Sequence, residues 1–294
     1  MRITQEMIAS NLSSNLLKNT EKLLKAQSLV SSGKRITKAS DDPVGMSNIL
    51  DYRKTLASVD QYSRNISQAR SGLDVADSTL SDIGELLNRA KELTLAQTNG
   101  TASKEDRQIA AGEVQQIRDQ IIQLANTKQG NKYLFGGQKT GSPPYDPTHP
   151  ELGFQGDDGQ NLVVIGDGVT LDTHVSGKQA FAGTTDPVVV LTDLIQGLNT
   201  NDSSAISSAL DSLNQSMTQV TDTRADVGAT LNRLDASESH LSDFKLNIQS
   251  LLSDTEDADL TQAITDLTAQ QSAYQASLAV SAKIIPPSLL DYLR

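Results

Sequence analysis

Apolar residues recur along most of this chain in alternating steps of three and four. Near the N-terminus the row is Ala9, Leu12, Leu16, Asn19, Leu23, Ala26 and Val30. A second row runs Tyr52, Val59, Tyr62, Ile66, Ala69, Leu73, Ala76, Leu80, Ile83, Leu87 and Ala90. A third holds Ala110, Val114, Ile117, Ile121 and Leu124. A fourth runs Ile206, Leu210, Leu213, Met217, Val220, Arg224, Val227, Leu231 and Leu234, then Leu241, Ile248 and Leu252. The last is Leu260, Ile264, Leu267, Gln271, Tyr274, Leu278, Ser281 and Ile285. A repeat near 3.5 residues belongs to helices lying side by side in a coiled coil or rod-like bundle. The second and fourth rows predict helices of roughly 45–50 residues, each about 70 Å long. Helices of that length need partners along their whole extent.

Residues 130–186 break the pattern. They hold eleven of the nineteen glycines, four of the eight prolines and five of the ten aromatic residues. The stretch "FQGDDGQNLVVIGDGVTLDTHVSG" reads as short strands joined by Asp-Gly turns. The predicted fold is therefore mainly α. Both chain ends form a long-helix rod or coiled-coil bundle, and a small β-rich domain is inserted between them. The expected division is residues 1–32 with 256–294 as terminal coiled-coil helices, 33–42 as a joint, 43–129 with 187–255 as the helical rod, and 130–186 as the insert. Ser103 and Asp106 have the spacing of a capping box, with Asp in place of Glu or Gln. Asn99-Gly100 is a break before it, and Pro286-Pro287 should end the last helix.

"SGKRITKASDDPVG" (32–45) looks at first like a phosphate or metal site. A P-loop requires a glycine where Ser28 stands and a Ser or Thr where Arg35 stands, after a strand rather than a helix. The same residues fit a joint between two helices. Gly33 follows the last apolar residue of the first row and suits a left-handed cap. Asp42 precedes Pro43, which favours an N-cap followed by proline at the first helical position. Asp41 and Asp42 also suit the positive end of the next helix dipole. Lys34-Arg35 is then expected to be a subunit contact.

Composition narrows the function. The chain lacks Cys and Trp, which removes disulfides, thiolate metal sites and a Cys nucleophile. The net charge of −11 argues against nucleic-acid binding through a basic surface. The charge is uneven: residues 1–60 carry nine Lys or Arg against six Asp or Glu, and residues 187–294 carry five against fourteen. Ends of opposite sign suit pairing with each other or with neighbouring copies. No apolar run approaches the length of a membrane span, and "MRITQEMIASNL" lacks the apolar region of a secretory signal. His149, His174 and His240 are far apart and form no zinc motif. The aspartates before Gly159 and Gly168 lack calcium-loop spacing and read as turns. No nucleophile motif is present, and Glu256-Asp257 reads as a helix-start cap. Nothing demands an enzyme, a cofactor or a metal.

The two terminal rows leave two possibilities open. Leu12, Leu16 and Leu23 at one end, with Leu260, Ile264, Leu267, Leu278 and Ile285 at the other, either pack onto the rod of the same chain or order only against other copies.

Several segments together resemble the bacterial flagellin family. "LVSSGKRITKASDDPVG" (29–45) is similar to its N-terminal signature, with Gly33, Lys34, Arg35, Asp41, Asp42 and Pro43 at the inter-domain joint. "RADVGATLNRLD" (224–235), "EDADL" (256–260) and "PPSLLDYLR" (286–294) are similar to its C-terminal half. "NKYLFGG", with Asn131, Tyr133, Leu134, Phe135, Gly136 and Gly137, resembles the hook-associated branch of the family. Pro43-Val44, where many filament flagellins have two alanines, leans the same way. The resemblance implies a structural protein of the flagellum, at the junction between hook and filament. It implies export without a cleaved signal, with an export chaperone, and an extracellular position. The implied partners are a ring of copies, a neighbouring hook-associated protein and flagellin. It places the terminal helices in an inner tube and the insert outward. A small filament-forming flagellin is the alternative, and an adhesin or enzyme on a coiled-coil stalk a more distant one.

Overall fold

The structure, a computed structural model, describes residues 5–98 and 103–284. The Asn99-Gly100 break, Ile285 and Pro286-Pro287 lie outside them. Seven helices, α1 (Gln5–Ser32), α2 (Pro43–Thr98), α3 (Lys104–Ala125), α4 (Gly177–Ala182), α5 (Pro187–Thr200), α6 (Ser203–Glu256) and α7 (Leu260–Ile284), account for most of the described chain. Strands are short: β1 (Lys128–Gln129) pairs with β2 (Lys132–Tyr133), and β3 (Leu162–Gly166) with β4 (Val169–Asp172), both antiparallel. The chain forms two compact units. Unit 1 draws on Met1–Ser58 and Phe244–Arg294, and unit 2 is Val59–Asp243. Helices α2 and α6, 56 and 54 residues long, contribute to both.

In unit 2 the apolar rows become the core. On α2, Val59, Ile66, Leu73, Ala76, Leu80, Ile83, Leu87 and Ala90 are buried. On α6, Ile206, Leu213, Val220, Val227, Leu234 and Leu241 are buried at every seventh residue. One position differs from the sequence reading. Arg224 is not in the row; Thr223 is. The Thr223 hydroxyl donates to the Gln219 carbonyl, so an otherwise apolar position leaves no polar group unpaired. Arg224 turns outward and makes a two-point contact with Asp77, at 2.8 and 3.3 Å.

Helix α3 begins as expected. The Ser103 hydroxyl accepts from the Asp106 amide, and the Asp106 carboxylate accepts from the Ser103 amide. One turn on, Arg107 is almost fully buried, at 4% exposure. Its guanidinium donates to the Gln97 carbonyl (3.2 Å), to Ser203 Oγ (3.4 Å) and to Asn201 Oδ1, none of them an acid. Gln97 lies in the last turn of α2, and Asn201 is the left-handed cap of α5. The partial negative charge of these helix ends stands where a carboxylate would otherwise be required.

Residues 130–186 hold less strand than their turn signals predict. Asp167-Gly168 makes the β3–β4 turn, with Gly168 at φ +66°. Asp157-Asp158-Gly159 does not make a hairpin, because Asp157 Oδ1 accepts from the Gln138 and Gly159 amides. Aromatic packing organises the segment instead. Phe135 meets Phe181 edge-on at 5.3 Å, and Tyr145 meets Phe154 and Phe181 at 5.8 and 6.0 Å. Asp186 ties this cluster to α5. It accepts from the Val188 and Val189 amides as N-cap, from the Phe154 amide, and from the Tyr145 hydroxyl at 2.9 Å.

Burial holds the Asp186 carboxyl above its usual range, more than its hydrogen bonds lower it. Above the ordinary value of 3.8 the folded chain keeps this proton where the unfolded chain has lost it. The contribution of Asp186 to stability therefore falls as pH rises through that interval. Asp186→Asn is expected to remove this component from the pH dependence of urea unfolding. Asp186→Ala, which leaves the Tyr145 hydroxyl and three amides without their acceptor, is expected to lower stability by about 3 kcal/mol in the same assay.

Candidate assembly surfaces

Within unit 1, α1 packs against α7. Leu12, Leu16 and Leu23 are half-buried in this seam and Ala26 is buried. Asn19 Nδ2 donates to Ser277 Oγ at 2.5 Å. On α7 the inward row is Ala263, Leu267, Gln270, Tyr274, Ser277 and Ser281. This row sits to one side of the row read from the sequence. The bulky Leu260, Ile264 and Leu278 stand beside this seam. All three are exposed, Ile264 at 53%. Helix α1 carries a second exposed row, Met7, Leu17 and Leu24, with Leu17 at 68%. Ile285 lies outside the described residues.

Exposed apolar side chains are not spread evenly. Among the described residues, twelve of nineteen large exposed hydrophobics belong to unit 1, although it is the smaller unit. Besides those on α1 and α7 they are Val44 and Leu50 on α2, and Phe244, Leu246 and Leu251 on α6. A monomer rarely leaves so much apolar surface on one small body, and such surface marks contacts with other molecules.

The joint at residues 33–43 is also in unit 1. Gly33 takes φ +68°, and its amide bonds to the Leu29 carbonyl, closing α1 with a left-handed cap. Asp42 Oδ1 accepts from the Gly45 amide at 2.9 Å, and Pro43 opens α2. Asp41 Oδ2 accepts from the amides of Thr37 and Lys38 and from the Thr37 hydroxyl. The Thr37 amide is the largest cause holding the Asp41 carboxyl below its usual range. Between the two caps, the chain pairs with the α6–α7 connection. Arg35 N donates to the Glu256 carbonyl at 2.7 Å, and Ala258 N to the Gly33 carbonyl at 2.9 Å.

Glu256 is the centre of this joint. Its side chain is 5% exposed, and one carboxylate oxygen contacts Lys34 Nζ at 2.6 Å and Arg53 Nη2 at 2.5 Å. The Arg35 guanidinium donates to the Thr255 carbonyl at 2.8 Å. Lys34 and Arg35, expected as a subunit contact, thus hold the chain to itself. Glu256-Asp257 does not cap a helix start either. Glu256 ends α6, and Asp259 caps α7 by accepting from the Thr261 and Gln262 amides. The sequence signal for Glu256 was only the excess of cations in the first sixty residues, with an acid-rich end to meet them.

In the 131–137 segment, Phe135 and Gly136 are buried, Tyr133, Leu134 and Gly137 are half-buried, and Asn131 is exposed. Gly137 has φ +67°, and a Cβ there would lie 2.1 Å from Asp157 Oδ1, so only glycine fits. The motif thus anchors the aromatic cluster of unit 2. Among the described residues, no three acids or histidines gather as metal ligands, and no helix is long and apolar enough to cross a membrane.

Glu256→Gln keeps the shape and removes the charge shared by Lys34 and Arg53. Both cations are nearly half exposed, so the expected loss is about 1 kcal/mol. Hydrogen exchange at the Arg35 and Ala258 amides should accelerate about fivefold, with unit 2 amides unchanged.

Comparison with known proteins finds matches toward both ends of the chain. The model of the bacterial flagellin N-terminal helical region matches residues 3–140, and that of the C-terminal helical region matches residues 210–293. Flagellar hook-associated protein 3 of Salmonella typhimurium is 28% identical over 94% of this chain and 95% of its own. Flagellin of Halalkalibacterium halodurans is 26% identical over the whole of both chains. The crystal structure of Bacillus cereus FlgL has the same fold, with a TM-score of 0.60 and 23% identity over 69% of this chain and 99% of its own. Both flagellin models are matched, in order and over most of the chain, and the chain belongs to the bacterial flagellin family, whose members are structural components of the flagellum.

Proposed function

We propose that this protein forms the junction between hook and filament, as a ring of copies in contact through unit 1. The observation that carries the assembly is the concentration of uncovered apolar side chains there: Met7, Leu17 and Leu24 on α1, and Leu260, Ile264 and Leu278 on α7. Burial of such rows contributes about 25 cal/mol per Å², less the cost of ordering. The junction position is supported by the likeness to hook-associated protein 3 across nearly the full length of both chains. The chain is exported without a cleaved signal, aided by a chaperone, and its extracellular neighbours are another hook-associated protein on the hook side and flagellin on the filament side. In the ring, residues 1–32 and 256–294 line an inner tube, 43–129 and 187–255 form the outer rod, and 130–186 faces outward. The role is structural, with no catalytic step.

A second reading, a small filament-forming flagellin, is favoured by the full-length likeness to a flagellin. Seeded polymerisation separates the two, because a flagellin extends seeds into long filaments and a junction protein does not.

A strain lacking this protein is expected to keep its hooks and release unpolymerised flagellin into the medium; normal filaments would refute the junction role. Complementation with Leu17→Asp plus Leu24→Asp should give a secreted, folded protein that fails to restore motility. Full motility would mean that the outer row of α1 makes no subunit contact.

A further inference from the structure

We infer that unit 2 carries a binding cleft for a carboxylate-bearing carbohydrate, between α2 and the 130–175 segment. The cleft encloses about 650 Å³, the size of a small oligosaccharide portion. Its wall is unusual for this chain. In a protein of net charge −11, no Asp or Glu lines it among the described residues. Acids adjacent in sequence to the wall are already engaged: Asp157 accepts from the Gln138 and Gly159 amides, Asp158 from the Ser176 hydroxyl at 2.6 Å, and Asp172 from the Asn161 and His174 amides.

Some polar side chains of its wall are engaged, Asn65 with the Val164 carbonyl and Asn161 with the Thr173 hydroxyl, and four are not. The amides of Gln68 and Gln160, Lys132 Nζ and the Tyr133 hydroxyl have no hydrogen-bond or ion-pair partner among the described residues. An amide both donates and accepts, which matches adjacent hydroxyls of a sugar. Lys132 is the one lysine or arginine on this wall, so it favours an acidic ligand. Leu134 and Ala69 supply apolar wall for the C–H face of a sugar ring. The His174 side chain, 9% exposed, also lines the cleft. Its Nε2 is buried without a hydrogen bond, the nearest acid oxygen being Asp158 Oδ1 at 3.6 Å. A divalent cation, by contrast, would find no carboxylate here. The cleft lies wholly within unit 2 and does not depend on the subunit contacts of unit 1.

The test uses the full chain and calorimetric titration with 3′-sialyllactose, trigalacturonate, lactose and hexaglutamate. At least one acidic sugar is expected to bind with Kd of about 1 mM or tighter, with lactose roughly tenfold weaker. Lys132→Gln should lower acidic-sugar affinity to the lactose level with no change in melting temperature. Gln160→Ala, on a different segment, should weaken both kinds of sugar. The inference is overturned by no binding of either acidic sugar at about 10 mM. It is equally overturned by hexaglutamate binding as well as the sugars, or by unchanged affinity in Lys132→Gln.

Discussion

A 56-residue helix with an apolar row along one side is stable in water only where that row is covered. This constraint organises the protein. In unit 2 the rows of α2, α3, α5 and α6 cover one another, and the aromatic cluster of residues 135–181 closes over them. In unit 1 the covering stops short. Helices α1 and α7 bury one seam between them and keep a second row each in water. The same heptad logic that makes a core in one unit makes an adhesive surface in the other.

Polar side chains decide where the helices end and how they are tied. Arg107 is buried with the Gln97 carbonyl and Asn201 Oδ1 at the C-terminal ends of α2 and α5, so its charge is met by those helix ends rather than by an acid, with Ser203 Oγ as a further acceptor. Glu256 is buried with two cations from distant parts of the chain. Asp186 is placed between an aromatic cluster and a helix start, accepting from four donors. Each group is costly to bury alone and stable only with its full set of partners.

What could be read from the sequence was local. Gly33, Asp42-Pro43 and Ser103–Asp106 act on residues within four positions, and the structure puts them where capping chemistry requires. The seven-residue spacing of Ile206 to Leu241 was equally plain. What could not be read depends on distant partners: Lys34 and Arg53 lie more than two hundred positions from Glu256 in the chain, and Asn201 lies 94 from Arg107. The row on α7 was misplaced for a related reason. Bulk marks a residue as apolar, but the face of α7 turned to α1 carries Ala263 and Ser277, and Leu260 and Ile264 lie beside it. In the cleft of unit 2 the informative feature is a missing residue type, which has no motif.

The bond between Asn19 and Ser277 gives the α1–α7 pair a mechanical character. The two helices run antiparallel, and a slip of one heptad moves them about 10 Å along each other. In one sense Asn19 would come level with Gln270 and keep a polar partner. In the other it would move beyond Ser281, the last polar residue of the described seam, and lose one, at a cost of about 1–3 kcal/mol. The seam therefore resists sliding more in one direction than in the other. An axial load on the pair therefore meets unequal resistance in its two directions.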